Sequence, residues 1–123
     1  LTVEGENFTT NGLQSEFQQV IVNIISNAKD ILIEKEIKHK EIKIYSEIKG
    51  RKGILFIEDN AGGIPQEIIE KVFEPYFTTK DIGKGTGIGL YISKTIIEDT
   101  MNGKLLVSNT KNGACFKIIM KLS

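Results

Sequence analysis

Gly83–Leu90 reads GKGTGIGL: four glycines alternate with Lys84, Thr86 and Ile88, and an apolar periodic segment follows at once. A glycine inside a regular element costs roughly 0.5–1 kcal/mol, so four in alternation imply a backbone with a special task. Two known glycine signatures fail here. A P-loop places Lys and then Ser or Thr after its last glycine, whereas Gly85 follows Lys84. The dinucleotide fingerprint needs two residues between its second and third glycines and a strand directly before, whereas these glycines alternate singly behind FEPYFTTKDI. What remains is a glycine-rich loop feeding the N-terminus of a helix over 90–101. Free N–H groups and a partial positive charge make such an end an anion site, and Lys80 and Lys84 add full charges beside it. A plain surface loop would need only one or two of the glycines.

Working outward, LQSEFQQVIVNIISNAKDILIEKEI (13–37) places Leu13, Phe17, Val20, Ile21, Ile24, Ala28, Ile31 and Leu32 at helical spacing and predicts an amphipathic helix. KEIKIYSEIK then alternates, with Ile42, Ile44, Ser46 and Ile48 on one face, and GRKG turns it into ILFIED, so the pair predicts a β-hairpin. DNAGGIP breaks the chain and QEIIEKVF predicts a short helix. After the glycine loop comes the helix over 90–101, ended by Asn102-Gly103. KLLVSN and ACFKIIMKL predict a last hairpin around TKNG. This order predicts an α+β fold, a two-layer sandwich with helices on one face of a mixed sheet.

The chain has 123 residues, which predicts one domain over 1–123. Hydrophobic residues make up 40% and charged residues 26%, ordinary for a globular protein. Lys+Arg and Asp+Glu are both 16, a balance that argues against nucleic acid and anionic membranes as partners. No apolar run approaches the roughly 20 residues of a membrane span. The single Cys115 excludes an internal disulfide and suits a reducing, cytoplasmic setting. The chain opens on Leu1 and is expected to be a fragment of a longer protein.

Two further groups bear chemistry. Asn23, Asn27 and Asp30 are offset by four and three residues and share one helix face at the edge of the apolar arc. Amide oxygens and a carboxylate are hard ligands that suit Mg²⁺; a merely solvated face gives the same pattern. Asp59 ends the strand ILFIED, where a carboxylate can accept a hydrogen bond from an exocyclic amine, while Gly62 and Gly63 allow close approach. The plain alternative is a turn. Metal donors, an amine acceptor and a glycine loop together describe a nucleotide site.

NIISNA, DNAGGIP, FEPYF and GKGTGIGL resemble, in order and spacing, the N, G1, F and G2 boxes of the catalytic ATP-binding domain of bacterial sensor histidine kinases. The resemblance runs from about Phe17 to Leu122. It implies the GHKL superfamily's ATP-binding (Bergerat) sandwich with a flexible lid. It implies that Asn27 ligates Mg²⁺, that Asn23 faces the phosphates, and that Asp59 accepts from the adenine amine with Gly63 beside the base. Phe73 and Phe77 would order the lid, and the amides of Gly85, Gly87 and Gly89 would cradle phosphate. Lys80 and Lys84 would contact phosphate. Ile64, Thr86 and Leu90 fall within these boxes and Asp30 lies two residues past the first; all four join the nucleotide-binding set. The opening segment LTVEGENFTTNG would be an edge strand.

Two departures stand out. Ala61 occupies the first glycine of the G1 pattern, and Tyr91 a place where a small residue is commoner. Hydrolytic superfamily members carry a Glu one helical turn before the metal Asn, as base for water; Asn23 stands there and cannot take up a proton at neutral pH. The resemblance therefore implies transfer of the γ-phosphate to a histidine on a separate dimerisation domain, and from there to a response regulator. His39, in EIKHKEIKIY, lacks the sequence context of that acceptor, so this piece is not expected to phosphorylate itself. Alternatives are a serine kinase of the anti-sigma-factor type, a GHKL ATPase, and a nucleotide-binding scaffold without transfer.

Overall fold

The structure, a computed structural model of the chain, describes residues 2–5, 14–75 and 89–121. Its elements are β1 (Thr2–Gly5), α1 (Gln14–Glu34), β2 (Ile42–Lys49), β3 (Lys52–Asp59), α2 (Gln66–Ile69), α3 (Gly89–Thr95), β4 (Lys104–Asn109) and β5 (Ala114–Lys121). A π-helical segment, Ile96–Thr100, continues α3. The five strands form one sheet in the order β1-β2-β3-β5-β4. β1 lies parallel to β2 at the edge, and the other pairings are antiparallel. The sheet is therefore mixed, as predicted, with Thr2–Gly5 of the opening segment as its edge strand; the rest of that segment lies outside the described residues.

Side chains alternate across a strand, so register fixes which ones meet. Ile44 pairs with Ile57, Ile57 with Phe116, and Phe116 with Val107. These apolar residues face the helices. α1 answers with Val20, Ile24, Ala28 and Leu32, four residues apart and at most 2% exposed. Ile97, Met101, Leu105, Ile118 and Met120 complete the core, and Phe17, Ile21 and Ile25 pack on it. Predicted Leu13 lies outside the described residues. Ile48 departs from its predicted burial: it is 41% exposed beside the Gly50 turn, at the open end of the sheet.

The opposite sheet face carries a row in register, Tyr45–Phe56–Lys117–Leu106. Tyr45 and Phe56 stack with centroids 4.5 Å apart, and Lys117 reaches over the Phe56 ring. Among the described residues no helix covers this face, and the lysine stem does that job in part.

Three local features differ from the predicted elements. The helix over 66–73 stops at Ile69, and i→i−3 bonds at Lys71 and Glu74 carry the chain on as tight turns. The helix over 90–101 widens into π geometry, closed by Met101 N–H donating to Ile96 O at 3.0 Å. At its end Asn102, not Gly103, takes the left-handed conformation, at φ 56. Gly103 is needed for space instead: a Cβ there would lie 2.5 Å from Met120 Sδ and 2.6 Å from Ile119 O.

Candidate nucleotide site

α1 places Asn23 and Asn27 half-buried on its flank, one turn apart, because the buried stripe Val20–Ile24–Ala28 turns that flank toward the edge of the core. Asn23 is engaged with α3. Its Nδ2 donates to Gly89 O at 3.3 Å and to Ser93 Oγ at 3.1 Å, while Gln19 Nε2 donates to its Oδ1 at 2.7 Å. Ser93, fully buried, donates in turn to Gly89 O at 2.9 Å. Asn23 thus joins α1 to the first turn of α3, the helix that follows the alternating glycines in sequence. Asp30 is exposed on the same flank.

β3 delivers Asp59 into the protein at 8% exposure. Its Oδ1 accepts from Ala61 N–H at 3.0 Å and from Ala114 N–H at 3.4 Å. Burial is the main cause that pushes its pKa above the ordinary carboxylate value; the two backbone bonds and the Lys35 charge oppose the shift, and Glu58 adds to it. An acceptor desolvated and held by fixed amides is suited to reading one donor on a flat ligand.

Residues 60–64 wrap past this carboxylate. Gly62 and Gly63 both take φ 88, the left-handed region that favours glycine. Ala61, at the position where the G1 pattern carries glycine, is buried at 3% exposure. Asn60 fastens the loop to the approach to β2, accepting from Glu41 N–H and donating to His39 O. His39 itself is exposed. The β4–β5 hairpin closes from the other side: Gly62 N–H donates to Asn112 O at 2.9 Å. A Cβ on Gly113 would fall 1.8 Å from Asp59 O, so the hairpin lies flush against the end of β3.

Phe73 is anchored on the core, edge-on to Phe116 at 6.0 Å, with Lys94 Nζ 4.7 Å above its ring. Gly89 opens α3, and Leu90 packs on the core. Phe77, Lys80, Lys84, Gly85, Thr86 and Gly87 lie outside the described residues. Gly63 and Ile64 stand beside Asp59 in the loop. Sequence reading did not single out Lys35, Asn109 or Ser93, which hold this assembly. Lys35 sits in a charged run that reads as a solvated face, and Asn109 and Ser93 in segments that read as plain strand and helix.

A cavity of about 260 Å³ opens behind the loop, lined by Glu41, Lys43, Glu58, Asp59, Asn60 and the hairpin tip. Lys43 and Glu58 belong to the helix-free sheet face, so this cavity is not the space between α1 and the loop.

A sandwich with a long helix, a carboxylate at a strand end and a second helix preceded in sequence by the alternating glycines defines an ATP-binding domain. The profile of the histidine kinase-, DNA gyrase B- and HSP90-like ATPases matches residues 12–123, and the chain belongs to that family. Within it, the relatives are sensor kinases. The two-component sensor PprA of Pseudomonas aeruginosa is 33% identical over 121 residues, 96% of this chain and 13% of that protein. The nucleotide-free catalytic domain of histidine kinase ThkA superposes with a TM-score of 0.83 at 34% identity, over 98% of this chain and 78% of that one. ThkA in complex with the response regulator TrrA matches with a TM-score of 0.74 at 29% identity, over 99% of this chain and 34% of that one. The chain spans 12–20% of the length of the first three curated relatives.

Proposed function

We propose that this chain is the catalytic ATP-binding domain of a two-component sensor histidine kinase. It holds Mg²⁺–ATP and hands the γ-phosphate to a histidine on a separate dimerisation domain, from which a response regulator receives it. The observation that carries this reading is Asp59: a buried carboxylate fixed by two backbone amides beneath a glycine-bearing loop, in a chain of this family.

Asp59 accepts from the adenine amine, and the loop through Gly63 and Ile64 lies along the base. Asn27 offers an amide oxygen to Mg²⁺. One such hard donor fits an ion that takes most of its ligands from phosphates and water. Asp30 adds negative charge on the same flank. When bound, the metal neutralises charge on the transferring phosphoryl group. Lys80, Lys84, Thr86 and the amides of Gly85, Gly87 and Gly89 serve the phosphates on the lid side. Phe73 and Phe77 support the lid, and Leu90 backs it from α3.

Asn23 bears on the choice between transfer and hydrolysis. It occupies the place where a hydrolytic relative would carry a general base. An amide there takes no proton from water, and this one is bonded to Gly89 and Ser93. The domain therefore positions ATP and leaves the attack to the incoming imidazole, a reaction that depends on alignment and charge neutralisation. No helix among the described residues is long and apolar enough to cross a membrane. The use of ATP and a response regulator places the activity in the cytoplasm under this reading, with any membrane anchor elsewhere in the full protein.

The test is transfer in trans. The chain, Mg²⁺ and labelled ATP are mixed with a histidine-bearing dimerisation domain, then with a response regulator. Acid-labile label on the histidine and its passage to the regulator are expected, with negligible phosphate release when the acceptor is absent. Rapid hydrolysis without acceptor, or label on a serine, contradicts the proposal.

A further inference from the structure

The loop 60–64 stands beside the carboxylate that reads the base, yet it has no regular structure of its own. Two side chains from distant elements impose its shape. Just past the end of α1, Lys35 Nζ donates to Ala61 O at 2.8 Å and reaches Gly63 O at 3.5 Å. At the end of β4, Asn109 Oδ1 accepts from Ile64 N–H at 2.7 Å, and its Nδ2 donates to Ile64 O at 2.8 Å. That pair reproduces the bonds a neighbouring strand would make. Asn109 also fits closely: a Cβ at Gly63 would lie 3.0 Å from its Oδ1.

We propose that Lys35 and Asn109 are positioning residues for base recognition, clamping the loop from opposite sides so that it is formed before the nucleotide arrives. The inference rests on the nucleotide reading of this site. A loop already held in its bound shape loses less freedom on binding, and the saving appears as affinity. A misplaced loop would cost discrimination as well, because base selection needs the acceptor and loop backbone in fixed relation.

Lys35 has a second effect. Asp59 is faced by Lys35 from just past α1, by Glu58 on its own strand and by Cys115 from β5. Glu41 just before β2, Lys43 of β2 and Lys111 of the hairpin line the cavity behind it. The Lys35 charge favours the ionised carboxyl against burial. Its removal moves the protonation of Asp59, and with it the acid limb of ATP affinity, to higher pH.

The experiment titrates the chain and its Lys35→Met, Lys35→Arg and Asn109→Ala variants with Mg²⁺–ATP and Mg²⁺–GTP from about pH 5 to about pH 8. Lys35→Met and Asn109→Ala should each lose about tenfold in ATP affinity, the scale of one or two lost hydrogen bonds, and narrow the preference for ATP over GTP. Lys35→Arg should keep most of both. Lys35 is exposed, so Lys35→Met should melt close to the unaltered chain, while its acid limb shifts upward in pH. Packing loss alone would not move that limb. Lys35→Met and Asn109→Ala variants that match the unaltered chain in affinity, preference and pH profile overturn the clamp and leave the nucleotide reading standing. An unaltered chain that binds neither nucleotide overturns both.

Discussion

Asp59 sets function against stability. A carboxyl whose folded pKa is raised above its ordinary 3.8 favours the fold only below that value, and the contribution is lost as pH rises through the folded pKa. Toward neutral pH that contribution is lost, and burial of the carboxyl weakens the fold. Asp59→Asn keeps an oxygen for the Ala61 and Ala114 amides and removes the charge. Thermal melts should show Asp59→Asn more stable than the unaltered chain at pH 7.5, with the advantage shrinking toward pH 4, while ATP binding is lost. A variant less stable at both values would contradict the burial argument. Cys115 behaves in the opposite way, as an inert core residue. It is 3% exposed and burial pushes its thiol up to about 11, so maleimide labelling at neutral pH should proceed only as fast as the protein unfolds.

Among the elements, the β4–β5 hairpin matters more to the site than its sequence advertises. Its Ala114 amide bonds Asp59, its Asn112 carbonyl bonds Gly62, and Gly113 leaves no room for a side chain. Gly113→Ala should push the hairpin off the end of β3, lowering stability by about 1–3 kcal/mol and weakening ATP binding in the same variant; chemical denaturation and titration read the two. The strands and α1 were legible in sequence because periodicity records which face is buried. Asp59 and Asn27 were legible because they sit inside compact motifs. Lys35 and Asn109 were not. Their loop partners lie 26 and 45 residues away, and a contact made only by folding leaves no local pattern. The π segment escaped for a related reason: one added residue per turn keeps Ile97 and Met101 on the core and leaves the apolar pattern looking helical.

At the scale of the molecule, one core positions everything. Ile24 lies at 0% exposure on α1 between the two asparagines, against the sheet that ends in Asp59. Ile24→Ala should cost about 2–5 kcal/mol in a denaturant titration and should lower ATP affinity by loosening α1 against α3. The two layers and the two hairpins followed from the sequence because hydrophobic pattern and turn chemistry agree along the chain, whereas the β3–β5 pairing, made between distant segments, had no local signal. Under the proposed function, the space between α1, Asp59 and loop 60–64 selects adenine. Calorimetric titration of the chain with Mg²⁺–ATP and Mg²⁺–GTP, repeated on Asp59→Asn, tests it most directly. Saturable binding of ATP, little or none of GTP, and loss of ATP binding in Asp59→Asn are expected. Equal binding of both nucleotides, or an Asp59→Asn variant that keeps its ATP affinity, would contradict it.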